Sequence, residues 1–131
     1  MHRNPSRPMS PHLTIWRWGP HMLLSILNRV TGVGLAIVGV LAFVWWLAAA
    51  ASGAQAYGTF QEHAGAWYGM VVWIGLSWAL FLHTLAGVRH FVLDIGAGYE
   101  LSTNKFWSNV TVAASLLLTA LLWGYLLGVR A

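Results

Sequence analysis

The chain of 131 residues contains no cysteine. That excludes disulfides, and also thiolate ligation of zinc or of an iron–sulfur cluster by this chain. Charge is scarce: Asp, Glu, Lys and Arg together make up 8% of the residues, where a soluble domain carries about 25%. So few charges cannot cover a surface that faces water, and the lipid bilayer is the solvent that fits. The seven basic and three acidic residues are too scattered to make a nucleic-acid surface, so no nucleic-acid partner is expected. Proline is absent after Pro20; all four prolines (Pro5, Pro8, Pro11, Pro20) fall in the first 22 residues. No internal repeat or low-complexity tract is present.

What the chain has in quantity is apolar side chains, 58% of the total. They form three runs, roughly residues 23–51, 66–93 and 106–129. Each exceeds the ~20 residues that a helix needs to cross a ~30 Å hydrocarbon core. Inside that core every backbone polar group must be satisfied within the chain, so the expected fold is all-α, with three transmembrane helices. The nine tryptophans mostly flank these runs, as interfacial belts do: Trp16, Trp18, Trp45, Trp46, Trp67, Trp107 and Trp123. Trp73 and Trp78 lie deeper and must face something other than headgroups. Gly32 and Ala36, Gly65 and Gly69, and Gly124 and Gly128 are small residues four apart that permit close helix approach.

Basic residues set the expected orientation. Arg3, Arg7, Arg17 and Arg29 precede or open the first run, the loop SGAQAYGTFQEHAG has no Lys or Arg, and Arg89 and Lys105 bracket the second loop. The positive-inside rule then puts the N-terminus and the second loop in the cytoplasm or its equivalent. Residues 1–22 lack the apolar core of a secretory signal. Their HLTIWRW stretch carries too much apolar surface to leave in water, so they are expected to lie along the membrane surface against a partner, ahead of a membrane domain of residues 23–131.

HTLAGVRHFVLD (83–94) ends the second run with four ionisable groups. His83 and His90 are seven apart, two helical turns, hence on nearly one face and ~10 Å apart along the axis. His83 lies well inside the span; His90 and Asp94 lie near the headgroups. A histidine at that depth is a hydrogen-bonded helix contact, a metal ligand or a proton relay. Zinc needs three or four ligands, and the interiors of the spans hold no further His, Asp or Glu. Heme needs one or two axial nitrogens, and Ala79, Ala86 and Gly87 are small enough to sit beside a flat macrocycle. His83 and His90 cannot both bind one iron, because axial ligands approach from opposite faces. A bis-histidine heme would therefore need a second chain.

SILNRVTG (25–32) is the other unusual place. Ser25 and Arg29 share a face at i, i+4. Arg29 sits at the hydrocarbon edge, where a charge costs less than the ~3 kcal/mol it costs at a span centre. It either snorkels to the headgroups or meets a propionate, Asp94 or a bound polar headgroup. The expected topology gathers Ser25, Arg29, Arg89, His90 and Asp94 at one depth, where a hydroxyl and a guanidinium can orient the carbonyl of a lipid-soluble quinone.

RPMSPHLTIW (7–16), SILNRVTGVGL (25–35) and HTLAGVRHFVLD (83–94), in this order and spacing, resemble the cytochrome b membrane anchor subunit of succinate dehydrogenase, over nearly the whole chain. The resemblance implies one heme b shared with a second three-helix anchor subunit, with His83 as this chain's axial ligand. It implies a ubiquinone or menaquinone site bordered by Ser25 and Arg29 and lined by Ile26 and Trp18. It also implies an iron–sulfur subunit and a flavoprotein subunit docked on the cytoplasmic face, and no catalysis by this chain alone. Many relatives carry His where Asn28 stands; Asn28 and His90 are thus assigned to the propionate or a nearby polar network. A fumarate reductase anchor and a heme-free structural anchor are the alternatives. The Met start with no transit-like extension points to a bacterial inner membrane rather than a mitochondrial one.

Overall fold

The computed structural model describes residues 17–130, which form four helices and no strand. Helix α1 runs Pro20–Ala51, α2 Ala54–Gly65, α3 Trp67–Asp94 and α4 Leu101–Arg130. Three of them, α1, α3 and α4, are long and apolar enough to cross a membrane. The expected contacts of residues 1–16 lie outside the described residues.

The helix boundaries follow from local chemistry. Pro20 occupies the first turn of α1, where its missing N–H costs nothing. Gly19, extended ahead of it, accepts from the amides of Met22 and Leu23 at 3.0 and 3.2 Å. α1 ends at Gly53, whose φ of 101° turns the chain into α2. α3 closes with a Schellman motif: Gly96, at φ 85°, donates to Leu93 O at 2.8 Å, and Ala97 donates to Val92 O at 3.3 Å. α4 begins at Leu101, ahead of the apolar run at 106, because polar residues near the headgroups continue the helix.

At ~1.5 Å per residue the 32 residues of α1 reach ~48 Å. That exceeds the hydrocarbon core, so its ends lie among headgroups or the helix tilts. Mid-span, Leu35–Gly39 winds as a π-turn, with Gly39 beside Leu76 of α3. Such a turn inserts an extra residue and rotates everything after it relative to Ser25 and Arg29.

The interior is small. Leu24, Leu82 and Ala86 form its centre, with Leu27, Trp78 and Val112 packed around them. α4 turns a row of hydroxyls inward: Ser108, Thr111, Ser115 and Thr119 are all buried. Each donates to a carbonyl of its own helix at 2.7–2.8 Å, so none is orphaned in hydrocarbon. Two indoles then bridge α3 and α4. Trp78 Nε1 donates to Ser115 Oγ at 3.1 Å, and Trp123 Nε1 donates to Ser77 Oγ at 2.8 Å. Trp123 is therefore an interhelical donor, whereas its place near the end of the third run suggested an interfacial belt. Of the most apolar 18 residues of α1 only 6% are buried within the chain, and 11% in each of α3 and α4. The remaining apolar surface faces lipid or another chain.

The segment between the first two spans reads as a loop but folds as α2. Its Phe60 is buried, edge-on to Trp45 at 5.0 Å and to Trp73 at 6.4 Å. This explains why Trp73 lies deep: it meets the underside of α2. Where α2 turns into α3, His63 Nδ1 lies 2.5 Å from Tyr68 Oη. Of the small-residue pairs, Gly69 and Gly32 are the positions with close neighbours, while the sites of Gly65, Gly124 and Gly128 are open. A Cβ on Gly69 would overlap the carbonyl oxygens of His63 and Ala64. Gly69→Ala is expected to cost about 1–3 kcal/mol, as overpacking does, read as a lower midpoint in denaturation from detergent micelles; Gly124→Ala in the same assay should leave the midpoint in place.

Candidate functional site

α1 begins, α3 ends and α4 begins on one side of the molecule; α2 lies on the other. The polar groups singled out in the sequence belong to the first side. Leu24 and Leu82 hold α1 against α3, and from that contact His83 lies across α1. Its Nδ1 is 3.1 Å from the backbone carbonyl oxygen of Asn28. A carbonyl can only accept, so Nδ1 carries the proton and donates. Nε2 is then a lone-pair nitrogen. It makes no hydrogen bond among the described residues, and the residue is exposed on the surface of the chain.

This geometry suits a metal held by a single nitrogen from this chain. Among the described residues no group of three or more His, Asp or Glu could hold an ion. A heme iron with one axial nitrogen from here and one from elsewhere fits the donor set, and a ligand imidazole commonly donates its other N–H to a carbonyl. The small residues fit it in part. Ala79 and Ala86 are buried in the chain's own interior, Ala86 in the cluster with Leu24 and Leu82. Gly87 does leave open space around its α-carbon.

Ser25, Ile26 and Arg29 are all exposed on α1, on the flank beside Asn28. Arg29 makes no ion pair or hydrogen bond among the described residues, with Asp94 or any other group. Trp18, just ahead of α1, is 63% exposed. Asn28 itself is half-buried, and its side-chain Oδ1 is buried with no partner. His90 and Asp94 are exposed at the end of α3. Arg89 departs from the expected patch: it turns to α4 and donates to Asn104 Oδ1 at 2.7 Å. It ties the second connection together and does not face Arg29.

Two features escaped the sequence. Thr31 is buried, and its hydroxyl shares the Asn28 carbonyl at 3.1 Å while bonding Leu27 O at 2.7 Å. Gly32 is a contact for the His83 ring, not for a helix backbone. A glycine one turn below an intramembrane arginine carries no signal of its own until the facing residue is known. The largest cleft, about 700 Å³, lies at the far end among Phe43, Trp46, Phe60, Trp73 and Trp123. No ionisable side chain lines it.

The fold and site define an all-helical membrane subunit of three spans that offers one unpaired ring nitrogen on an exposed face. Residues 3–122 match the family described as succinate dehydrogenase/fumarate reductase transmembrane subunit, and the chain belongs to that family. It is 35% identical over 116 residues to the succinate dehydrogenase cytochrome b556 subunit of Paracoccus denitrificans, covering 88% of each chain. Against the cytochrome b556 subunit of Rickettsia felis the identity is 36% over 118 residues, covering 89% of this chain and 90% of the relative. The mitochondrial succinate dehydrogenase cytochrome b560 subunit of Sus scrofa is 34% identical over 104 residues, which are 73% of this chain and 57% of that protein.

Proposed function

We propose that this chain is the heme b- and quinone-binding anchor of a succinate dehydrogenase, helping to pass electrons from succinate to ubiquinone or menaquinone. The observation that carries the reading is the state of His83: Nδ1 spent on the Asn28 carbonyl, Nε2 unpaired on an exposed face within a membrane span. An unpaired ring nitrogen in hydrocarbon is costly, and a metal bond removes that cost. A purely structural anchor also accounts for the Nδ1 bond, but it leaves Nε2 without a role. The relatives' names, succinate dehydrogenase in each case, favour succinate oxidation over the fumarate reductase direction.

In this reading His83 would hold heme b from this side, with the second ligand supplied by another three-helix anchor subunit. When bound, the heme supplies a one-electron carrier. The chain's own residues do the rest. Ser25 and Arg29 present a hydroxyl and a guanidinium from one face of α1, and both can donate to a quinone carbonyl. Arg29 stabilises negative charge as the quinone is reduced by two electrons, before two protons complete the quinol. Ile26 and Trp18 supply apolar walls. Asn28 and His90 belong to the polar network around the propionates. The iron–sulfur and flavoprotein subunits dock on the cytoplasmic face, at the ends of α1 and α3, and the complex resides in a bacterial inner membrane.

A ligand count of one from this chain sets the test. Expressed alone and reconstituted in detergent, the chain should take up heme weakly; co-expressed with the second anchor it should give a six-coordinate low-spin spectrum. A stable six-coordinate heme in the isolated chain rejects a shared site.

A further inference from the structure

Gly32 stands three residues beyond Arg29, and the space of its missing side chain is filled by the edge of the His83 ring. A Cβ at this position would lie 2.9 Å from Cε1, 3.4 Å from Nδ1 and 3.7 Å from Nε2. The first distance is too short for any real Cβ contact, so the ring would have to shift. One turn earlier on α1 the Asn28 carbonyl takes the Nδ1 proton at 3.1 Å. The two contacts restrict different freedoms. The carbonyl fixes which nitrogen is protonated, and the bare α-carbon fixes how close the ring lies and how it is turned. Gly34, two residues on, meets nothing within 4 Å, so the His83 ring is met at position 32 and not there.

We propose that Gly32 and the Asn28 backbone carbonyl form a seat on α1 that sets the plane and tautomer of the His83 imidazole, and through them the donor strength of Nε2 toward heme iron. This rests on the reading of His83 as axial ligand. The physics is that of an outer-shell hydrogen bond: a carbonyl accepting from Nδ1–H makes the ring more basic. A more basic ligand favours ferric over ferrous iron, which lowers the midpoint potential. Thr31 tempers the effect, because its hydroxyl donates to the same carbonyl at 3.1 Å and so competes with the imidazole. Gly32 and Thr31 are thus positioning residues that act through His83.

The experiment uses the assembled complex. Gly32→Ala should retain heme but move the low-spin ferric resonance in electron paramagnetic spectra. It should also raise the midpoint potential, with the ferric-to-ferrous equilibrium changed about tenfold, ~59 mV for one electron. Thr31→Val frees the carbonyl from its competitor and should lower the potential by a smaller amount; it carries the test alone if Gly32→Ala does not assemble. Gly34→Ala should match the unmodified complex. Resonance and potential unmoved in both Gly32→Ala and Thr31→Val, or moved against the stated directions, overturn the seat. His83→Ala separates the two readings. If it keeps an unaltered heme, the axial assignment fails and the seat with it. If it loses heme while Gly32→Ala and Thr31→Val change nothing, only the seat fails.

Discussion

Replacing His83 by alanine is expected to remove or strongly shift the heme b band in the reduced-minus-oxidised spectrum of the purified assembly. No other group among the described residues can take over. His90 is two turns away at the end of α3. His63 lies at the opposite end of the molecule, beside Tyr68. His21, near the start of α1, has a buried Nδ1 without a hydrogen-bond partner, and its ring lies beside Gly19. The substitution should leave the helices in place. His83 is exposed on the chain, and the hydrophobic contact that holds α1 to α3 runs through Leu24, Leu82 and Ala86. The Asn28 carbonyl loses one donor but keeps Thr31. An assembly that forms with His83→Ala and shows an unchanged band would dismiss the ligand assignment.

Arg29→Leu should give the second large effect, on quinone chemistry alone. A hydrogen bond from a charged donor contributes about 1.5–3 kcal/mol, so quinone reduction should fall roughly tenfold to a hundredfold, at ~1.4 kcal/mol per factor of ten. Succinate oxidation by an artificial soluble dye, which draws electrons before the membrane, should stay close to that of the unmodified complex. The prediction is sharp because Arg29 has no ion pair or hydrogen bond among the described residues. Its loss breaks no contact of the fold, and a leucine on an exposed face of a span sits well against lipid. Equal loss of both activities would point to failed assembly and count against a quinone role for Arg29.

The spans were legible because their signal is cumulative: twenty or more apolar residues outweigh any single exception, and the helices fall within a few residues of the runs except at the start of α4. α2 was not legible. Its sequence AQAYGTFQEHAG is mixed in polarity, and one residue, Phe60, secures it by reaching Trp45 and Trp73, which are distant in the chain. The site divides the same way. His83, Ser25 and Arg29 announced themselves as polar groups where polarity is costly. The partner of His83 did not, because a backbone carbonyl has no residue type. The direction of Arg89 was hidden for a related reason. Sequence gives its depth but not its direction, and Asn104 on the next helix draws it away from Arg29.

The inward row of hydroxyls on α4 bears on how the antiparallel pair finds its register. Each of the four hydroxyls donates to its own helix, so the row has no spare donor with which to grip α3 at an arbitrary height. Inside the span two reciprocal locks set the height: an indole of α3 on a serine of α4, and an indole of α4 on a serine of α3. Sliding either helix by one turn opens both together and strands two N–H groups in oil. A hairpin built this way can settle on its correct height in the membrane before any companion subunit arrives.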